Sequence, residues 1–148
     1  CALPILLGCW FSNEAALARA GVRMRHVEQG IQGGLFRTHV PTVRRGPFGG
    51  PLVVSMRPFA AADVARVTAI TAAAPLAHGA PVHVGYPAAL GIADLARPDY
   101  GEPLPPEAGE VPMYWACGLT GSAALEAARL PIAITHAPGC MVVTDLPG

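Results

Sequence analysis

Ala116-Cys117-Gly118-Leu119-Thr120-Gly121-Ser122-Ala123-Ala124-Leu125 closes one apolar run, residues 111–116, and leads into an alanine-rich one, residues 122–129. The first run reads as a strand and the second as a helix, with the thiol where one ends and the other begins. The same order occurs near the start of the chain. Gly8-Cys9-Trp10-Phe11-Ser12-Asn13-Glu14-Ala15-Ala16-Leu17 aligns with it without a gap: a small residue, a cysteine, a hydroxyl residue three later, then Ala-Ala-Leu. Residues 3–8 are continuously apolar, the pattern of a buried strand. Ser12 or Asn13 can cap the helix that follows, Glu14 suits its positive end, and Gly21 stops it. This doubled unit predicts an α/β fold with a mixed sheet, two pseudo-repeated strand–Cys–helix units flanking a cleft.

Outward from these units the chain alternates in the same way. Residues 22–27 read as the start of a strand. Residues 28–51 are glycine-rich turns around a short strand near 36–40. Residues 52–56 form another strand, and a helix from 61 or 63 to 73 follows, with Val64, Val67 and Ile70 or Thr71 on one face. Pro75 forbids its continuation. Residues 81–85 are a brief strand, and 86–109 an ordered loop with a helical turn at 88–90. Residues 132–135 and 141–144 read as the last strands. The expected organisation is one α/β unit over 1–148, the C-terminal part of a larger protein, with cleavage of that protein as one reading.

Composition limits the function classes. Hydrophobic residues make up 52% of the 148 and charged residues only 14%, an excess of core material over solvating surface. That balance predicts a surface partly covered by an N-terminal companion fragment or chain, and an oligomer. Ten basic residues balance ten acidic ones, with no Lys/Arg run among aromatics, which points away from nucleic acid. No apolar stretch has the ~18–20 residues of a membrane helix. Four cysteines at 1, 9, 117 and 140, with no close pair, suggest reduced thiols and a cytoplasmic setting.

Two thiols at strand–helix junctions also carry chemistry. Helix-start N–H groups stabilise a thiolate, and catalytic groups in α/β sheets gather at the carboxyl ends of strands. A facing pair, Cys9 and Cys117, suits proton transfer at an α-carbon, one side abstracting while the other donates. Two similar turns, His78-Gly79-Ala80-Pro81 and His136-Ala137-Pro138-Gly139, add imidazoles beside strands, with His83 close to the first. A rival site stands at Cys1, whose own α-amine can serve as base for its thiol in an N-terminal-nucleophile amidohydrolase released by autoproteolysis. Seven intervening residues, mostly in a strand, place Cys1 roughly 15–25 Å from Cys9. No cofactor is called for. A divalent metal on His78, His83, His136 and Asp145 is the alternative, although their spacing matches no specific motif.

The chain resembles the "putative hydro-lyase" (D-glutamate cyclase-like) family along nearly all its length. The resemblance lies in Gly8-Cys9 with Phe11-Ser12, Arg37-Thr38 with Val40-Pro41, and Gly50-Pro51 leading to Ser55-Met56-Arg57-Pro58. It continues in His78-Gly79-Ala80-Pro81-Val82-His83, Leu90-Gly91-Ile92-Ala93-Asp94-Leu95, Pro98-Asp99 and Gly109-Glu110-Val111-Pro112. Trp115-Ala116-Cys117-Gly118 and Ile134-Thr135-His136-Ala137-Pro138-Gly139, through Thr144-Asp145, complete it.

The resemblance implies a lyase-type reaction on a small acid, with D-glutamate to 5-oxo-D-proline as the named relative, and about a hundred further residues ahead of position 1. A dehydrating cyclase needs a carboxylate clamp, an acid to release water and a base for the amine. Arg37 and Arg57 are the candidate clamps, since a guanidinium grips a carboxylate with two hydrogen bonds. Thr38 and Ser55 offer hydroxyl contacts, His83 and His136 acid and base, and Asp94 or Asp145 a partner to orient an imidazole. Three positions depart from the family pattern: Cys140 where His is usual, His39 where Asn is frequent, and Cys1. A non-catalytic small-molecule binding module is the remaining alternative.

Overall fold

The computed structural model describes residues 5–145. Its centre is a four-stranded sheet in the order β1-β2-β4-β3, with β1 at Leu35–Pro41, β2 at Pro51–Ala60, β3 at His83–Val84 and β4 at Glu110–Ala116. Four α-helices accompany it: α1 Glu14–Arg19, α2 Arg25–Gln29, α3 Val64–Ala72 and α4 Leu119–Ala128. The α/β class agrees with the sequence reading. The sheet itself is not mixed: β1/β2, β2/β4 and β3/β4 all pair antiparallel. No helix among the described residues is long and apolar enough to cross a membrane.

Strand β2 is buried from Val53 to Phe59 because both faces of the sheet are covered. Alternate side chains point to opposite faces, so Phe59 joins Met113 and Trp115 of β4 on one side. There they pack with Trp10, Leu17, Val22, Met24 and Val67 from the helical layer. Val54 and Met56 face the other side, with Phe36, Tyr114, Leu90 and Ile92. Helix α3 docks through Val67 and Thr71, one turn apart, and the indole N–H of Trp115 donates to Thr71 Oγ1 at 3.2 Å. That bond satisfies a donor buried in the centre of the layer.

Two prolines meet inside the central ladder, Pro58 of β2 opposite Pro112 of β4. Both sit where the two strands exchange no hydrogen bond. The carbonyl of Pro112 accepts instead from Gly85 N–H at 2.8 Å, on the β3 side. Met56 N–H donates to Gly34 O, away from β4, and Pro58, two residues on, looks the same way past the end of β1. Each missing N–H is thus one the β2/β4 ladder never needed.

Four local expectations change. Residues 22–27 begin extended, but α2 starts at Arg25 and stops at Gly30 in a left-handed conformation (φ +64°). The turn lets buried Arg25 reach Glu110 (2.6 Å) and His26 reach Glu14 (2.9 Å). The expected strand at 3–8 carries no pairing over 5–8, its first two residues lying outside the described ones. Cys9 therefore precedes a 3-10 turn, Trp10–Asn13, and then α1; among the described residues no strand comes before it, and only Cys117 stands between a strand and a helix. The strands expected at 132–135 and 141–144 are likewise unpaired, and α4 begins three residues earlier than its sequence pattern suggests.

Candidate functional site

Arg57 is the unusual group on the helical face of the sheet. Its side chain is 1% exposed, yet among the described residues it forms no salt bridge. Nη1 donates to the carbonyl of Met56 at 2.7 Å, and Nε–H has no hydrogen-bond partner among the described residues. The guanidinium carbon lies 5.0 Å from the Trp10 ring centroid and 5.6 Å from that of Phe11. Gly33 (φ +76°) lets the backbone come this near, since a Cβ there would stand 2.9 Å from Nη1. Burial pulls the guanidinium pKa down to about 10, while Glu14, the thiols of Cys117 and Cys9, and Glu102 push it back up. It remains charged at neutral pH. A buried cation with an open donor needs an anion to complete it. By contrast, the equally buried Arg25 is held by Glu110 and Glu107.

Ser55 precedes Arg57 by two on the same strand, so it shares that face. Among the described residues its hydroxyl is buried without a partner, as is the indole N–H of Trp10. Cys117 follows β4 on this face, its N–H bonded to Val53 O at 3.0 Å, and packs beside Leu35, Val53 and Leu119. Its thiol pKa is raised, chiefly by burial and further by the Cys9 charge, whereas the Leu119 N–H and Arg57 act to lower it. The helix start does favour the thiolate, as the sequence suggested, but desolvation outweighs it. Cys9 closes the group, its Sγ 3.2 Å from Met141 Sδ. The fold thus gathers Cys9, Cys117, Arg57 and Ser55 into one neighbourhood. A groove of ≈ 420 Å³ opens beside it, with Leu7, Phe48, His78, Cys117 and Gly121 among its walls; of the four groups only Cys117 lines it. A second groove of ≈ 510 Å³, walled by His39, Arg44, Pro47 and Ala127, contains none of these four groups.

The other expected site residues lie elsewhere. Arg37 is committed to Glu126 of α4 (2.7 Å) and to the Tyr100 hydroxyl, while its N–H donates to Asp99 at 2.7 Å. These partners raise its pKa. Thr38 Oγ1 donates to Leu52 O (2.8 Å) and accepts from Val40 N–H, holding the irregularity in β1. His83 pairs with Tyr114, so it stands on the opposite face of the sheet, its Nε2 2.9 Å from Tyr86 O. Asp94 is exposed and caps its own turn through Ala96 N–H, and His136 is exposed. Cys1 lies outside the described residues. Among those residues no three His, Cys, Asp or Glu side chains gather as a metal site, and His78, His83, His136 and Asp145 do not form one.

One dyad was not read from the sequence. His26 is 2% exposed, its Nε2 2.9 Å from Glu14 Oε1, and its ring meets the Trp10 indole edge-on at 5.3 Å. Burial lowers its pKa, the Glu14 hydrogen bond raises it, and Arg57 lowers it. Trp10 therefore lies against both the guanidinium and this imidazole. Asn13 fixes the Trp10 turn in place, donating to Trp10 O (3.1 Å) and Ala77 O (3.3 Å). The clue was His26 beside Arg25 in a stretch where apolar and charged residues alternate, and it has no spacing rule.

Comparison with known proteins extends these observations. A family model described as D-glutamate cyclase matches residues 3–145. The chain is 52% identical over 144 residues to a Bradyrhizobium diazoefficiens protein named "Putative hydro-lyase", covering 97% of this chain and 53% of that protein. It is 55% identical to a "Putative hydro-lyase" of Methylobacterium radiotolerans, with the same coverage, and 55% identical to one of Paraburkholderia phymatum, covering 95% and 54%. It spans about half the length of these relatives.

Proposed function

The chain belongs to the D-glutamate cyclase family, and from that premise we propose a lyase-type reaction on a small amino or carboxylic acid whose carboxylate binds Arg57. The observation that carries the reading is the buried guanidinium, which among the described residues has an unpartnered Nε–H and no salt bridge. A substrate carboxylate supplies the missing acceptor, and Ser55 Oγ offers a further hydrogen bond from the same strand face.

The thiols then divide the proton work. Cys117, its pKa raised by burial, is protonated at neutral pH and suits the acid that protonates the departing hydroxyl. Cys9 receives the proton taken from the substrate. In a cyclisation of the D-glutamate type, the amine attacks the side-chain carboxyl carbon, a C–N bond forms, a C–O bond breaks and water leaves. The Trp10 and Phe11 rings keep water from the guanidinium, which strengthens its hold on the anion. A cytoplasmic setting and an oligomeric state belong to the same proposal. The free thiols of Cys9, Cys117 and Cys140 agree with the first.

Turnover of D-glutamate, and of 5-oxo-D-proline in reverse, followed by NMR, tests the reading. Arg57→Met and Cys117→Ser are expected to abolish turnover, with Cys140→Ser as an active control. Wild-type rates in Arg57→Met would overturn the assignment. Binding by the unaltered protein without turnover would make the site a binding module.

A further inference from the structure

Three stretches with strand-like sequence stand outside the sheet. Residues 5–8, 132–135 and 141–144 join no ladder, and among the described residues no backbone hydrogen bond ties 131–135 or 141–145 to another segment. Their aliphatic side chains face outward: Ile5 is 83% exposed, Ile134 92% and Val143 94%. The segments Ile5-Leu6-Leu7-Gly8, Ile132-Ala133-Ile134-Thr135 and Met141-Val142-Val143-Thr144 contain no charged residue. Natural proteins blunt exposed strands with charge, proline or bulges, and these stretches carry none.

They also border the thiols. Leu7 packs on α4, where a Cβ at Gly121 would stand 3.3 Å from its Cδ1, and Met141 touches Cys9. Meanwhile nearly the whole chain matches only about half of its relatives' length. An apolar, uncharged, strand-forming surface of this kind is what a single larger core exposes when half of it is taken away.

We propose that 5–8, 132–135 and 141–144 form the docking surface for the portion of the family polypeptide outside the matched half. That portion adds strands to these segments, satisfies their backbone groups and shields Cys9 and Cys117 from water. The proposal does not depend on which reaction the site performs.

The test mixes this chain with the unmatched portion of a relative, produced as a separate polypeptide. Hydrogen exchange is expected to slow at all three segments in a one-to-one complex. Ile134→Asp and Val143→Asp, both at exposed positions, should leave the thermal melt of the free chain unchanged. Each should weaken association by about tenfold or more, since a carboxylate would have to be buried. Absence of a complex, a complex with these amides unprotected, or unchanged affinity in both variants would overturn the proposal. So would protection of the same amides in the chain alone with rising concentration, which would make a second copy the occupant.

Discussion

The guanidinium of Arg57 lies over the indole of Trp10, 5.0 Å from its centroid, and both groups keep a buried donor without a partner among the described residues. The arrangement holds a positive charge in an apolar setting without neutralising it. A cation over an indole gains roughly 0.5–2 kcal/mol, too little to replace a counter-ion at that depth.

Arg57→Met should therefore weaken binding of a small carboxylate by on the order of 10- to 100-fold, the worth of a charged hydrogen bond. Arg57→Lys should recover little, because a point charge lacks the planar fork. Trp10 reports directly on the event, so quenching of indole fluorescence during titration measures both variants.

Acid should destabilise the fold through His26. Its folded pKa is depressed below the ordinary imidazole value of 6.5, so between the two pKa values the unfolded chain binds more protons. The contribution is complete above pH 6.5 and is lost as pH falls through the folded value. His78 shifts in the same direction, again through burial. Thermal melts at pH 7.5 and 5.5 should show a drop that is smaller in His78→Asn, a residue that tolerates the left-handed backbone there (φ 75°).

Alkylation should discriminate among the thiols. Cys140 is exposed, whereas Cys117 is half-buried and its thiol is pushed up by burial. Iodoacetamide at pH 7.5 is expected to label Cys140 first and Cys117 slowest, read by peptide mass. In Arg57→Gln, Cys117 labelling should slow further, because one influence lowering its pKa is gone.

Gly33→Ala should disturb the site more than the fold around it. The new methyl meets Nη1 of Arg57 at 2.9 Å and sits on a backbone with φ +76°. A stability loss of roughly 1–3 kcal/mol is expected, with carboxylate binding falling alongside. Urea unfolding and the fluorescence titration measure the two effects separately.

Much of this was legible in the sequence, for definable reasons. Strand β2, helix α3 and the Cys117 junction announce themselves through periodicity and turn residues, and Ser55 and Arg57, two apart on one strand, had to share a face. What was hidden depends on distant partners. Arg37 and Arg57 look alike as candidate clamps, but Glu126, 89 residues away, occupies the first. His83 falls on the wrong face because a two-residue strand takes its register from Tyr114. The His26–Glu14 contact spans two short helices whose relative placement is set by Trp10 and Asn13. Residues 132–135 and 141–144 have the composition of strands, and composition cannot say that no ladder receives them.

The facing rings of Pro58 and Pro112 bear on how the site is assembled. If β2 and β4 were laid together one residue out of step, one of the two rings would fall where the neighbouring strand's carbonyl awaits a donor, and a ladder hydrogen bond would be forfeited. The same slip would put Arg57 and Ser55 on the face opposite Cys117. The imino acids thus act as a proofreading device, rejecting the misaligned sheets in which the binding groups would be scattered across both faces.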